Sequence, residues 1–437
     1  EIRYEDLDPE TILRAKKCII HQLACACAGH EERWNKVMRS YMGDTGSNKE
    51  STLWFSGIKG NAFEATFANS TMAMSIIQED IHKEDGIHPG LIIIPCAFAI
   101  GEQYNLSGKA VLEGIIRGYQ FLCKTGKGVL GIEFNKRGFR PTAVMGTFAS
   151  AVTAGILMGL TEDELVSACG IAGNFSCGVN EWACSGADEV YFHNGMSAAS
   201  GIIAAEAAKR GATGSEFIFE GAQGVCNAFG ISKEILESNI QNDAILEINK
   251  VVFKGAPCCN FNQAAATLAL LALSDGIKPD LVEKGIIWTN TRATEYAGVD
   301  YAGPYYSTTQ AKMSQQYTFA AVLHYGKPIN EAFKDYTNET ITRLASKLKL
   351  NAQVEYDAIY PERMQGEVEL YLKNGEIKRY KTEEARYYDY DDIDEGFNYY
   401  FSQNFDKNKT SLIIDFLNNI ENLSNIRELT ELLNFNN

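Results

Sequence analysis

The stretch Gln78–Gly90 reads QEDIHKEDGIHPG and holds two histidines and four acids. Three kinds of chemistry use such residues. Imidazole titrates near neutral pH and suits a general base or acid. Imidazoles and carboxylates together can hold a metal. An acid-rich run can also be a hydrated turn. His82 and His88 do not share a helical face with ligand spacing, which argues against the metal. His88 then stands either as a proton-transfer residue or as a loop histidine bonded to backbone. Most of the surrounding acids are expected to face solvent. A second segment, NKRGFRPTAV (Asn135–Val144), is basic. Arginine is no base near neutral pH, but its planar fork pairs well with a carboxylate, so Arg140 is either a binding group or part of a structural salt bridge. Arg137 and Lys136 are expected at the surface. Lys254 ends a strand-like run, VVFK, where the chain changes character and a cleft between two units would open. Cys258 and Cys259 follow it. Like Cys25 and Cys27, they lack zinc-knuckle spacing and read as packing.

The elements that must position these residues come from bulk properties and pattern. A chain of 437 residues is long for one core, so two domains are expected. A hydrophobic content of 45% with 22% charged residues is that of a soluble globular protein. The net charge of -16 argues against nucleic-acid and anionic-membrane partners. Eleven cysteines, scattered through apolar segments, argue against a disulfide framework and for a reducing cytoplasm. Thr142–Leu160 has nineteen uncharged residues but is rich in small ones, and reads as a buried helix rather than a membrane span.

The first half reads as successive helices. Asp8-Pro9 starts one, Leu91–Glu102 is a buried helix, another starts at Ser107, and Thr161 with Glu164 forms a capping box. Gly195–Gly211 is a small-residue helix. Strand-like residues appear from Ala244, followed by a helix in NFNQAAATLALLAL and a strand in GIIWTNT. Asn374-Gly375 sits between alternating runs, a strong hairpin signal. The acidic run YYDYDDIDEG (Tyr387–Gly396) reads as a solvated connector with no calcium-loop glycine. The expected fold is mainly α: a large helical domain from residues 1–250 and 397–437, with a smaller α+β lid, residues 251–396, inserted.

Seven blocks, in order, carry a resemblance to a known family: KKCIIHQLACACAG, FANSTMAMSIIQEDIHKEDGIHPG, SGKAVLEGIIRGYQ, RGFRPTAVMGTFASAVTAGILMGLTEDEL, HNGMSAASGIIAAEAAKRGATG, VVFKGAPCCNFNQAA and AKMSQQYTFAAVL. Across residues 10–325 the chain resembles the MmgE/PrpD family, which includes 2-methylcitrate dehydratase, cis-aconitate decarboxylase and iminodisuccinate epimerase. The resemblance implies a helical domain with an α+β lid, a homodimer, and a lyase or isomerase that needs neither metal nor organic cofactor. It implies a small carboxylate substrate and proton transfer next to the carboxylate.

The same likeness assigns roles. His88 matches the family's active-site histidine, Lys254 its substrate-reaching lysine, Tyr317 a site-facing tyrosine and His193 a histidine at a helix start. His88, Lys254, Tyr317 and His193 are thus the expected catalytic set, with Arg140 and Asp80 binding substrate. The sequence also departs from the pattern. Ile77 stands where an aspartate is usual, Arg140 where histidine is frequent and Val190 where lysine is common. These changes disfavour an ordinary methylcitrate dehydratase or cis-aconitate decarboxylase and raise epimerisation or a specialised step such as cyclisation. They also keep open a catalytically silent relative that binds a ligand or partner.

Overall fold

A computed structural model describes residues 2–46, 48–127, 132–240 and 245–435. The chain is mainly α-helical, as expected, with small sheets. Helices Pro9–Gly29, Ala62–Ala73, Gly90–Gln103, Gly108–Gly126, Pro141–Leu157 and Glu189–Lys209 share one buried apolar core. The uncharged stretch from Thr142 lies within Pro141–Leu157, whose small residues let Glu189–Lys209 pack close: a Cβ on Gly201 would meet the Ala151 backbone at 2.3 Å. Among the described residues, no helix is long and apolar enough to cross a membrane.

Local sequence signals set the helix ends. Asp8 caps its helix at the Thr11 amide, and Asn61/Glu64 and Thr161/Glu164 are reciprocal capping boxes. The helix expected from Ser107 begins there and closes at Gly126; the last residues of that segment, Gly128 and Val129, lie outside the described residues. So does Ala244, where strand character was expected to begin; the strand itself is Val251–Lys254. Near the C-terminus, helices Tyr390–Phe401 and Lys407–Asn418 return to the first core. Lys17 bonds Asp394 at 2.6 Å and Lys16 bonds Glu421 at 2.7 Å. The acidic run is therefore not a solvated connector. Asp389 and Asp392 form a capping box that opens Tyr390–Phe401, where carboxylates complement the helix dipole.

A second core lies beneath a four-stranded sheet ordered Leu348–Ala352, Val282–Thr289, Gly366–Leu372, Ile377–Thr382. The first pair is parallel and the others antiparallel. Gly366–Leu372 and Ile377–Thr382 are the expected hairpin, with Gly375 at φ 85° in its turn. Helices Gln263–Ser274 and Gln315–Tyr325 pack in the same core.

A small three-stranded sheet, Asp80–His82, Val251–Lys254 and Tyr387–Tyr388, ties distant parts of the chain together. Its antiparallel register pairs Asp80 with Phe253 and His82 with Val251. One step further along that register, Glu79 comes opposite Lys254. The turn before it is unusual. Ile77, β-branched, has φ 56°, a left-handed conformation that costs such a residue of order 1–2 kcal/mol. Two ammonium groups hold it: Lys312 Nζ donates to the Ile76 carbonyl at 2.7 Å and Lys254 Nζ to the Ile77 carbonyl at 3.1 Å.

Candidate active site

Side chains alternate across a strand, and that alternation splits the acidic pair. Glu79 points with Lys254, whose Nζ bonds Glu79 Oε1 at 2.8 Å. Asp80 points the other way, where its Oδ1 accepts from the Gly90 amide at 3.0 Å and its Oδ2 from the Tyr119 hydroxyl at 2.7 Å. His88 sits just before helix Gly90–Gln103. Its Nδ1 lies 3.1 Å from Glu79 Oε1 and 3.0 Å from the Asp80 carbonyl. Both partners are acceptors, so Nδ1 carries the proton. In the neutral ring, Nε2 then holds the lone pair.

Glu79, His88, Lys254 and Arg140 share the wall of one cavity of about 60 Å³. Ile77, Trp182, Phe261, Tyr296, Met313 and Tyr360 supply much of the remainder. The electrostatics follow from burial and neighbours. Burial alone would raise the Glu79 carboxyl, but the Lys254 ammonium and the other nearby cationic groups outweigh it and hold the group at about 2. Burial, with Lys254 and Arg140 nearby, pushes His88 down to about 3, so its imidazole is neutral near pH 7. The second Glu79 oxygen, Oε2, is buried and has no hydrogen-bond partner among the described residues. Asp80 is raised to about 7, mainly by burial.

Arg140 is 4% exposed. Its guanidinium donates to His193 Nε2 at 3.2 Å and to Asn194 Oδ1, and lies 5.7 Å from the Trp182 ring centre. Burial and the adjacent guanidinium push His193 well below its ordinary value. All three partners are thus neutral.

The structure brings His88, Lys254 and Arg140 together, and separates three other expected site residues from the cavity wall. Asp80 faces Tyr119 because of strand alternation. His193 lies behind Arg140 within helix Glu189–Lys209, which Asp188 precedes, so His193 is not the cap. Tyr317 is fully buried in the second core and donates to the Ala332 carbonyl at 3.1 Å. The expectation that the acids around His88 face solvent is corrected. Glu79, Asp80 and Asp85 are all at most 1% exposed, and only Glu84 is exposed. Glu79 is the residue that sequence reasoning passed over. The signal was its phase: it lies two residues before Ile81, which also lines the cavity. Lys136 and Arg137 are exposed as expected. Cys258 and Cys259 are buried, and burial pushes their thiols up to about 12 and about 11, as suits packed groups.

The cluster that the sequence did not reveal is His82, Asp85 and Cys123, whose ligand-type atoms lie within 4.8 Å of one another. His82 Nδ1 lies 3.0 Å from Asp85 Oδ2, and Nε2 lies 2.9 Å from Glu247 Oε2. Burial opposes the charged ring, but the two carboxylates overcome it and raise His82 to about 10. An imidazolium offers a metal no lone pair, and here it serves as the counter-ion of two buried acids. The folded value lies above the unfolded one of about 6.5. The stabilisation is therefore complete below that value and fades as pH rises through about 10. His82→Gln is expected to lower unfolding stability by about 3–5 kcal/mol at pH 6 and by less at pH 10, as read by urea denaturation at both pH values.

Two family models account for most of the chain. The MmgE/PrpD N-terminal domain matches residues 1–237 and the MmgE/PrpD C-terminal domain residues 256–391. The chain belongs to the MmgE/PrpD family. Among curated proteins, this member is similar to a cis-aconitate decarboxylase of Aspergillus terreus, 28% identical over 205 residues, covering 46% of this chain and 41% of the relative. It is also similar to the cis-aconitate decarboxylase-like protein oryM of Aspergillus oryzae, 22% identical over 231 residues, covering 51% and 48%. This MmgE/PrpD chain thus spans less than half the length of the curated relatives it matches.

Proposed function

We propose that this chain is a lyase or isomerase that moves a proton on a small carbon acid bearing a carboxylate. The observation that carries the reading is one carboxylate oxygen, Glu79 Oε1, joined at the cavity wall to His88 Nδ1 and Lys254 Nζ. The arrangement resembles the carboxylate–imidazole pair of hydrolases, in which the acid orients the ring and stabilises the imidazolium that forms. His88 Nε2 takes the proton from the carbon beside the carboxylate. Glu79 accepts from Nδ1–H throughout and offsets the new charge. Lys254 keeps Glu79 ionised and fixes the turn at Ile77. The Arg140 guanidinium holds the substrate carboxylate and so bears part of the negative charge that develops on deprotonation.

The depressed His88 value describes the unliganded site. Burial is its first cause, and the Arg140 charge contributes. A carboxylate seated on Arg140 cancels that contribution, so substrate binding strengthens the base that attacks it. The proton then returns to the other face of the carbon in an epimerisation, or leaves with a β-substituent in an elimination. The names of the curated relatives support a decarboxylase chemistry.

The reading is tested in deuterated water, following carbon-bound protons of candidate acids by NMR. Exchange that persists in wild type and disappears in His88→Ala and Lys254→Met is the expected result. Binding without exchange for any candidate would favour a relative that only holds its ligand.

A further inference from the structure

A site that handles several carboxylates needs several cations free to meet them. Here the cationic groups are not equally available. Lys254 is consumed by Glu79 and the Ile77 carbonyl, at 2.8 and 3.1 Å. Arg140 is nearly fully buried, and its hydrogen-bond and ring partners, His193, Asn194 and the Trp182 ring, are neutral, with the Glu79 carboxylate as a nearby charge. A buried guanidinium facing neutral groups is a charge awaiting an anion. The Glu79 carboxylate stands on the same wall, its Oε2 without a hydrogen-bond partner among the described residues. Much of the remaining lining is apolar or aromatic, including Ile77, Met313, Phe261 and Trp182, but Arg292 also stands on the wall. Ile77 is held there at the expense of backbone strain, by two lysines on successive carbonyls.

Resting on the proton-transfer reading above, we infer that the substrate is a monocarboxylate with an apolar or aromatic body. Its carboxylate sits on Arg140 and its body against the aromatic and aliphatic wall. Glu79 selects against di- and tricarboxylates.

The test measures dissociation constants by isothermal titration calorimetry for butanoate, hexanoate, 3-phenylpropanoate, succinate and tricarballylate. The two longer monocarboxylates are expected to bind at least about tenfold more tightly than succinate or tricarballylate. Arg140→Gln should weaken them about a hundredfold, and Glu79→Gln should narrow the gap to succinate. Tighter binding of succinate or tricarballylate, no gain from butanoate to hexanoate, or no binding of any member overturns the proposal. So does an equal loss on Arg292→Gln, since Arg292 also lines the cavity and equal losses would mean two carboxylate positions. The wild-type series decides the matter even where a variant folds poorly. Deuterium exchange with the broader set of candidate acids separates the two ideas. Selective monocarboxylate binding without exchange defeats only the proton-transfer reading, and exchange with a preference for polyacids defeats only the substrate class.

Discussion

Lys254→Met is expected to abolish proton exchange and to lower unfolding stability by about 3–5 kcal/mol, the usual effect of removing one partner of a buried ion pair. The ammonium is 1% exposed and its partner carboxylate 0%, so neither group has water to fall back on. Without the lysine, Glu79 must stay charged without its ammonium partner or take up a proton, and protonation weakens the acceptor that orients His88. A structural role and a chemical role predict different behaviour in the double variant. Lys254→Met with Glu79→Gln removes both charges, so it should recover about half of the lost stability, because neighbouring substitutions are not additive. Exchange should stay absent. Denaturant titration and exchange NMR on wild type, Lys254→Met, Glu79→Gln and the double variant read both quantities. Recovery of exchange in the double variant would mean that the pair is only a strut.

The second large effect concerns His88. His88→Ala should slow exchange by about 10²–10⁴-fold, the ordinary contribution of a positioned general base, while the melting temperature shifts little because the ring is at the cavity wall rather than in a core. The pH profile carries more information than the loss itself. The free base is the active form, and burial depresses its proton affinity to about 3 in the unliganded protein. In kcat/KM, which reports the free enzyme, the acid limb should therefore fall well below the ordinary imidazole value of about 6.5. Glu79 sharpens the point. Its folded value of about 2 lies below the unfolded one of 4.5, so its contribution to stability is complete above 4.5 and is lost as pH falls toward 2. Unfolding and loss of activity should then coincide in acid. An acid limb centred near 6.5 in a folded protein would remove His88 from the base role.

Much of this was legible in advance, and what was missed has a physical reason. Caps and turns are local, so Asp8-Pro9, Thr161/Glu164 and Asn374-Gly375 could be read from a few residues each. His88 and Lys254 were named from the motifs around them, HPG and VVFKGAP. The acids were misjudged because strand Asp80–His82 has three residues, too few for a periodic signal. Its partner Val251–Lys254 lies some 170 positions away in the chain. Only that pairing shows that Glu79 and Asp80 face opposite ways. Tyr317 was misplaced for a related reason. Its helix, Gln315–Tyr325, is apolar on nearly every side and buried throughout its first nine residues, so composition could not say which face meets the site. At Tyr387–Gly396, acid content suggested hydration, whereas a helix start uses the same acids as caps.

The left-handed residue at position 77 has one more implication. Its geometry is upheld by an ammonium from strand Val251–Lys254 and, through its neighbour, by one from helix Thr308–Met313 in the second core. A conformer kept in place only by surrounding contacts relaxes when they go. Loss of these two contacts would therefore free the backbone at Ile76–Ile77 and loosen the wall to which Ile77 contributes. Ligand grip and the order of this turn become a single equilibrium, so a tight inhibitor should slow amide hydrogen exchange at this turn in proportion to its affinity, although it touches neither carbonyl.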